Sequence, residues 1–244
     1  MQRISNPARA AVAALVIAVP AHGQDAAPPP PLRIQGDLGL VSTAGNSAVT
    51  TLNVGEKVTW ITGRLELTQA FSVVYGRTGD STTTNQWKAS IRSDVQVGGP
   101  MAIYARGAFE RNTTAGIARR FEEAVGLAAE LIMKDRTTLS AEAGAALNQQ
   151  TSTTDATSDF ASGRLAVAFK QFLGASAFVT QDAEALPNLE ETDDLRVNSE
   201  TALTAPISSR IAVKLAYTIK FDNVPEPGFQ KTDRIFSAGV QVVF

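Results

Sequence analysis

Arg210 to Asp222 runs RIAVKLAYTIKFD, and the reading of this stretch decides the fold. Ile211, Val213, Leu215, Tyr217, Ile219 and Phe221 fall on one face of an extended chain. Arg210, Ala212, Lys214, Ala216, Thr218, Lys220 and Asp222 fall on the other. Successive side chains of a strand point to opposite faces, whereas a helix would scatter these apolar residues around its axis. The stretch is a strand with one apolar and one polar face.

The alternation recurs through the chain. Phe236, Ala238, Val240, Val242 and Phe244 oppose Ser237, Gly239, Gln241 and Val243, and Trp87, Ala89, Ile91, Val95 and Val97 oppose Lys88, Ser90, Arg92, Asp94 and Gln96. Read this way, the chain holds about twelve strands, over 34–43, 48–60, 64–76, 84–97, 101–112, 120–132, 136–148, 159–171, 174–183, 194–204, 208–222 and 232–244. Residues 119–133 also fit a helix, with Phe121, Ala124, Val125, Ala128, Leu131 and Ile132 on one side; their place in a run of strands favours a strand.

The connections separate a soluble sandwich from a closed barrel. After the short Ala44-Gly45-Asn46-Ser47 hairpin, tight turns such as Gly98-Gly99-Pro100 and Lys134-Asp135 alternate with longer polar segments such as 77–83, 149–158 and 184–193. Outer-membrane barrels sort short turns and long loops to opposite sides in this way. An even strand count also returns both termini to one side. A sheet facing hydrocarbon needs closed edges and an apolar outer face, while its inner face can carry charge and water. The expected fold is therefore all-β, an antiparallel transmembrane barrel of about twelve strands over 34–244. Trp60, Tyr75, Trp87, Tyr104, Phe109, Phe121, Tyr217 and Phe221 stand near strand ends, as aromatic girdles would.

The amino terminus reads as an export signal over residues 1–23. Arg3 and Arg9 precede the apolar run Ala10 to Val19, Pro20 breaks it, and Ala21-His22-Gly23 offers small residues for cleavage before Gln24. The run is too short to cross a bilayer as a helix. Residues 24–33 (QDAAPPPPLR) read as an extended periplasmic linker, since four consecutive prolines cannot donate to a ladder. Cleavage takes Lys+Arg from 22 to 20 against 24 Asp+Glu, a net charge of −4.

Composition narrows the chemistry. The 244 residues hold no cysteine, which excludes disulfides, thiolate metal sites and cysteine nucleophiles. The one histidine, His22, lies in the export signal, so no imidazole is expected in the mature chain for triads or metal ligation. The balanced charge lacks the basic stripe that nucleic acid requires.

Gly36-Asp37-Leu38-Gly39-Leu40, then Thr43-Ala44-Gly45-Asn46-Ser47, then Leu52 to Trp60, resembles the start of the YdiY-like family of Gram-negative barrels, described as salt-induced outer-membrane proteins of unknown function. The similarity runs over roughly residues 34–244. It implies an outer-membrane location and brings no activity, substrate or catalytic residue. The aromatic Phe244, ending an alternating strand, resembles the signal read by the barrel-assembly machinery. That machinery, outer-membrane lipid and lipopolysaccharide are the expected partners, and a monomer is favoured.

No catalytic, cofactor-binding or metal site is expected. The candidate residues are the basic ones on the polar faces: Lys88, Arg92, Arg106, Arg164, Lys170, Arg196, Lys214 and Lys220. They read either as a polar conduit that attracts anions or as partners for acids on neighbouring strands. Asp80, Asp155, Asp159, Glu184, Glu190, Glu191, Asp193 and Asp194 read as loop acids, solvated or bridged by divalent cations to lipopolysaccharide. Four functions follow: a narrow channel for passive solute permeation or an osmotic-stress barrel, a structural envelope barrel, and, more remotely, a barrel enzyme or a soluble periplasmic β protein.

Overall fold

A computed structural model describes residues 31–43 and 49–243. The export signal, most of the linker, the Gly45-Asn46 hairpin and Phe244 lie outside the described residues. Twelve strands follow in order: β1 (Leu32–Thr43), β2 (Val49–Thr62), β3 (Leu65–Thr78), β4 (Ser81–Gly98), β5 (Met101–Asn112), β6 (Ile117–Lys134), β7 (Thr137–Ser152), β8 (Thr157–Phe172), β9 (Phe178–Pro187), β10 (Leu195–Pro206), β11 (Ile211–Asp222) and β12 (Thr232–Val243). Each pairs antiparallel with its neighbour, and β1 pairs with β12 to close the barrel. Among the described residues, the β1–β12 ladder runs from Gln35–Val243 to Leu38–Val240 and is the shortest of the twelve.

Residues 119–133 lie within β6, so the helical alternative fails. Its apolar residues serve two surfaces: Phe121, Val125 and Leu127 stand exposed on the outer face, while Ala124 is buried inside. A small residue inward and a large one outward can mimic a helical stripe in sequence.

The strands outrun the expected limits at the end opposite the termini. The 77–83 segment contracts to a two-residue turn at Gly79-Asp80, because β3 continues through Thr78 and β4 begins at Ser81. Likewise β7 and β8 extend to Ser152 and Thr157, leaving four residues between them. The strands are 10 to 18 residues long, whereas about 9–11 tilted residues cross a bilayer. The extensions carry threonine, which favours strands, with serine and glutamine, and none of these marks either face as apolar. The contrast between loops and turns is accordingly weaker than expected. The two longest connections described, 188–194 and 223–231, still lie on the side opposite the termini.

Strand β9 spans Phe178–Pro187 rather than 174–183, because the turn occupies 173–177, where Gly174 adopts φ +121°. Glu184 is thereby moved from a loop into the sheet. Asp159 is also a strand residue, in β8. Tyr104 is no girdle residue: it is fully buried inside the barrel. On β5 it shares the parity of Arg106 and Glu110, so its ring must point inward with them.

Candidate functional site in the barrel lumen

The interior is polar and built in two unequal halves. Across β5 to β8 one row of pairs reads Tyr104–Gly126, Gly126–Gly144 and Gly144–Arg164. The two glycines leave a shelf on which the Tyr104 ring lies, and its hydroxyl accepts a hydrogen bond from Arg164 Nη1 (3.1 Å). Arg92 packs on the same ring, 4.3 Å from its centroid. Cation–π packing of this kind is strengthened where water is excluded.

Carboxylates join the two guanidiniums. Arg92 forms a bidentate pair with Asp94 (2.6 and 2.7 Å) and donates to Glu142 (2.9 Å). Arg164 donates to the same Glu142 oxygen and to Glu184 (3.2 Å). Arg106 pairs with Glu122. Planar forks meeting carboxylates edge-on are the strong form of such bonds. This half of the lumen is filled.

The opposite half is open. Gly55 and Ser72 line two cavities of about 330 and 220 Å³ that also share Asp37, Lys88 and Lys220. In the larger, Glu110 faces Lys220 (3.5 Å), Arg120 (3.6 Å) and Lys88 (3.8 Å) and accepts from Gln86 (3.1 Å). In the smaller, Lys214 lies between Glu200 (3.3 Å) and Asp37 (3.9 Å). Arg196, on the wall of the larger cavity, donates to Asn148 (3.0 Å) and packs over Phe160; Asn148 is held in turn by Ser162 (2.9 Å).

Two features border the ends. At the end bearing the termini, Lys170 packs on Phe172 and Phe178, 4.7 and 4.1 Å from their ring centroids. At the other, the 223–231 connection lies across the mouth. Its Glu226 accepts from Gln150 of β7 (2.7 Å), and Glu226 and Phe229 abut Gly116. Pro225, Gln230 and Lys231 of this connection line the larger cavity.

The eight basic residues thus share the inner face but not one environment. Arg92 and Arg164 are committed to ion pairs in the filled half, and the Arg106–Glu122 pair borders the larger cavity from that side. Lys88, Arg196, Lys214 and Lys220 border open space, and Lys170 sits by the end that carries the termini. Glu110, Glu142, Glu184 and Tyr104 are as central to the arrangement. The inward parity of Tyr104 was available in sequence; which acid meets which base was not, because pairs such as Arg92–Glu142 join strands that are not neighbours. Among the described residues, no group of three or more His, Asp or Glu gathers as a metal site.

Residues 36–244 match the family described as "Protein of unknown function, DUF481". No curated protein matches the sequence. Two solved structures share the fold: the NanC porin, with TM-score 0.51 and 10% identity over 86% of this chain and 98% of that one, and an outer-membrane channel from Pseudomonas putida F1, with TM-score 0.52 and 10% identity over 87% of this chain and 94% of that one. The barrel therefore matches the fold of Gram-negative outer-membrane porins and channels.

Proposed function

For a chain that belongs to the DUF481 family and closes as a twelve-stranded barrel, we propose a narrow channel for passive permeation of small polar solutes across the outer membrane. The observation that carries this reading is the pair of polar cavities sharing Lys88 and Lys220 on the open side of the lumen. Solutes pass along that side, with Lys88, Arg196, Lys214 and Lys220 as lining residues. Arg92 and Arg164 hold the filled wall, Arg106 with Glu122 stands where that wall meets the larger cavity, and Lys170 stands at the mouth nearest the termini. The amino-terminal segment exports the chain, and Phe244 presents it to the barrel-assembly machinery. Lipopolysaccharide surrounds the loop end.

Single-channel recording of the purified barrel in a planar bilayer tests the proposal. Discrete conductance steps are expected. A folded barrel that stays silent, with heat-modifiable migration as the check on folding, refutes it and supports a second reading, a non-transporting envelope barrel. That reading draws on the ion-paired wall and on the 223–231 connection over the mouth. A role in salt or osmotic stress rests on the family resemblance, and growth of a deletion strain over a range of salt concentrations tests it.

A further inference from the structure

We propose that the outer face of β2 and β3 is an interface between two copies of this chain, with Glu56 and Gln69 at its centre. Glu56 pairs across the ladders with Gly36 of β1 and Phe71 of β3, which places its side chain outward, opposite in parity to the inward Gly55 and Asp37. Along β2 the outward residues run Leu52, Val54, Glu56, Val58 and Trp60. Trp60 lies next to the turn into β3. Val54 is joined through Val73 to Trp87, which sits far from the turn into β5. Both tryptophans are exposed on the outside, as interfacial anchors are. Glu56 lies between these two levels, where the outer face meets hydrocarbon.

Its neighbours on that face are Ile34, Leu38, Val54, Val58 and Phe71. Its partner among the described residues is Gln69, whose Nε2 donates to Oε1 at 3.2 Å. An ionisable group in the hydrocarbon is costly, and in membrane proteins such groups face protein or water rather than lipid. Glu123 of β6 also faces outward, between Phe121 and Val125, but makes no side-chain hydrogen bond among the described residues and so offers no donor beside its acceptor; Gln181 with Ser199 (2.8 Å) and Thr201 (2.5 Å) is neutral and satisfied within itself. Glu56 is charged and retains acceptor capacity, while Gln69 retains a donor.

An acceptor beside a donor is self-complementary about a twofold axis, so a second copy of the same patch satisfies both. Space for it exists: a Cβ at Gly36, directly opposite Glu56, would meet nothing within 4 Å. The patch also adjoins the short β1–β12 ladder, which a second barrel would brace from outside. This assembly departs from the monomer expected of the sequence, and it stands whether or not the lumen conducts.

Because the chain has no cysteine, single-cysteine variants report the interface directly. Val58→Cys lies on the proposed face and Leu165→Cys on β8, across the barrel. Oxidation in outer membranes of expressing cells is expected to give disulfide-linked dimers from Val58→Cys and monomers from Leu165→Cys. Native mass spectrometry in detergent is expected to show wild-type dimers, with the dimer Kd raised about tenfold by Glu56→Leu through loss of a hydrogen bond in an apolar setting. Equal cross-linking at the two positions, or a Val58→Cys barrel that stays monomeric on oxidation together with a wild-type barrel that is monomeric by native mass spectrometry, overturns the proposal.

Discussion

Tyr104 on β5 accepts a hydrogen bond at 3.1 Å from Arg164 on β8, 60 positions further along the chain, by lying across Gly126 and Gly144. Two strands separate the partners, and an aromatic ring bridges them only because both intervening positions lack a side chain. The row converts local ladders into a brace across four strands. It also fixes where the lumen is filled, since Arg92 and Arg164 pack against the same ring.

Substitutions in this row should separate shape from hydrogen bonding. Tyr104→Phe is expected to cost about 1 kcal/mol, the worth of one hydrogen bond. Tyr104→Ala should cost about 3–5 kcal/mol, because it removes a fully buried ring. Gly144→Ala should be as damaging as the latter, since its Cβ would fall 2.5 Å from Tyr104 Oη and against the Val125 carbonyl, which is backbone and cannot move aside. Urea unfolding of the three variants in lipid vesicles orders them; an unperturbed Gly144→Ala barrel would contradict the close approach.

Glu142 is the carboxylate shared by Arg92 and Arg164. Removing it leaves two guanidiniums against one ring with Asp94 and Glu184 as their remaining acids. Glu142→Ala is expected to destabilise by about 3–5 kcal/mol, the usual cost of stranding a buried charge. The double variant Glu142→Ala with Arg164→Met should recover a large part of that loss, because an apolar side chain in place of the charge removes the unpaired group. A double variant no more stable than the single one would show that Arg164 is adequately neutralised by Glu184 alone.

Much of the barrel was legible in the chain, and the failures share one physical origin. Alternation is readable where aliphatic residues mark the outer face, so β12 agrees with its expected limits to within one residue and β11 differs at its start alone, Ile211 rather than 208. It fades where both faces meet water, so Thr82, Thr83 and Gln149 were read as loop although they continue strands. The residue type of Tyr104 suggests a girdle, whereas its parity with Arg106 points its ring inward. Partners around the lumen depend on the stagger between strands, which no local pattern encodes; the meeting of Arg92 with Glu142 is an example.

Ion selectivity should respond to the open side of the lumen and not to the filled one. Lys88 and Lys220 border both cavities, whereas Arg164 is 6% exposed and fully engaged. Replacing Lys88 and Lys220 together by Gln is expected to shift the reversal potential toward cation preference, since lining charges set pore selectivity. Arg164→Gln should lower stability and leave the reversal potential nearly unchanged. Reversal potentials across a salt gradient distinguish the sets, and a larger shift from Arg164→Gln than from the lysine pair would place the conduction path in the wrong half of the barrel.

The 223–231 connection should act as the constriction at the loop end. It is tied across the mouth by Glu226 to Gln150 and by packing of Glu226 and Phe229 on Gly116, whose φ of +81° and tight surroundings exclude a larger residue. A Cβ at Gly116 would lie 2.6 Å from Glu226 Cβ and 2.7 Å from the Phe229 ring. Gly116→Val is therefore expected to displace the connection, as is deletion of residues 225–229, and each should raise single-channel conductance by roughly two- to threefold if the mouth limits flow. Because the connection lies at the end of the barrel rather than in its ladders, unfolding in urea should change little for the deletion. An unchanged conductance in both variants would move the narrowest point inward, to the level of Glu110 and its three cations.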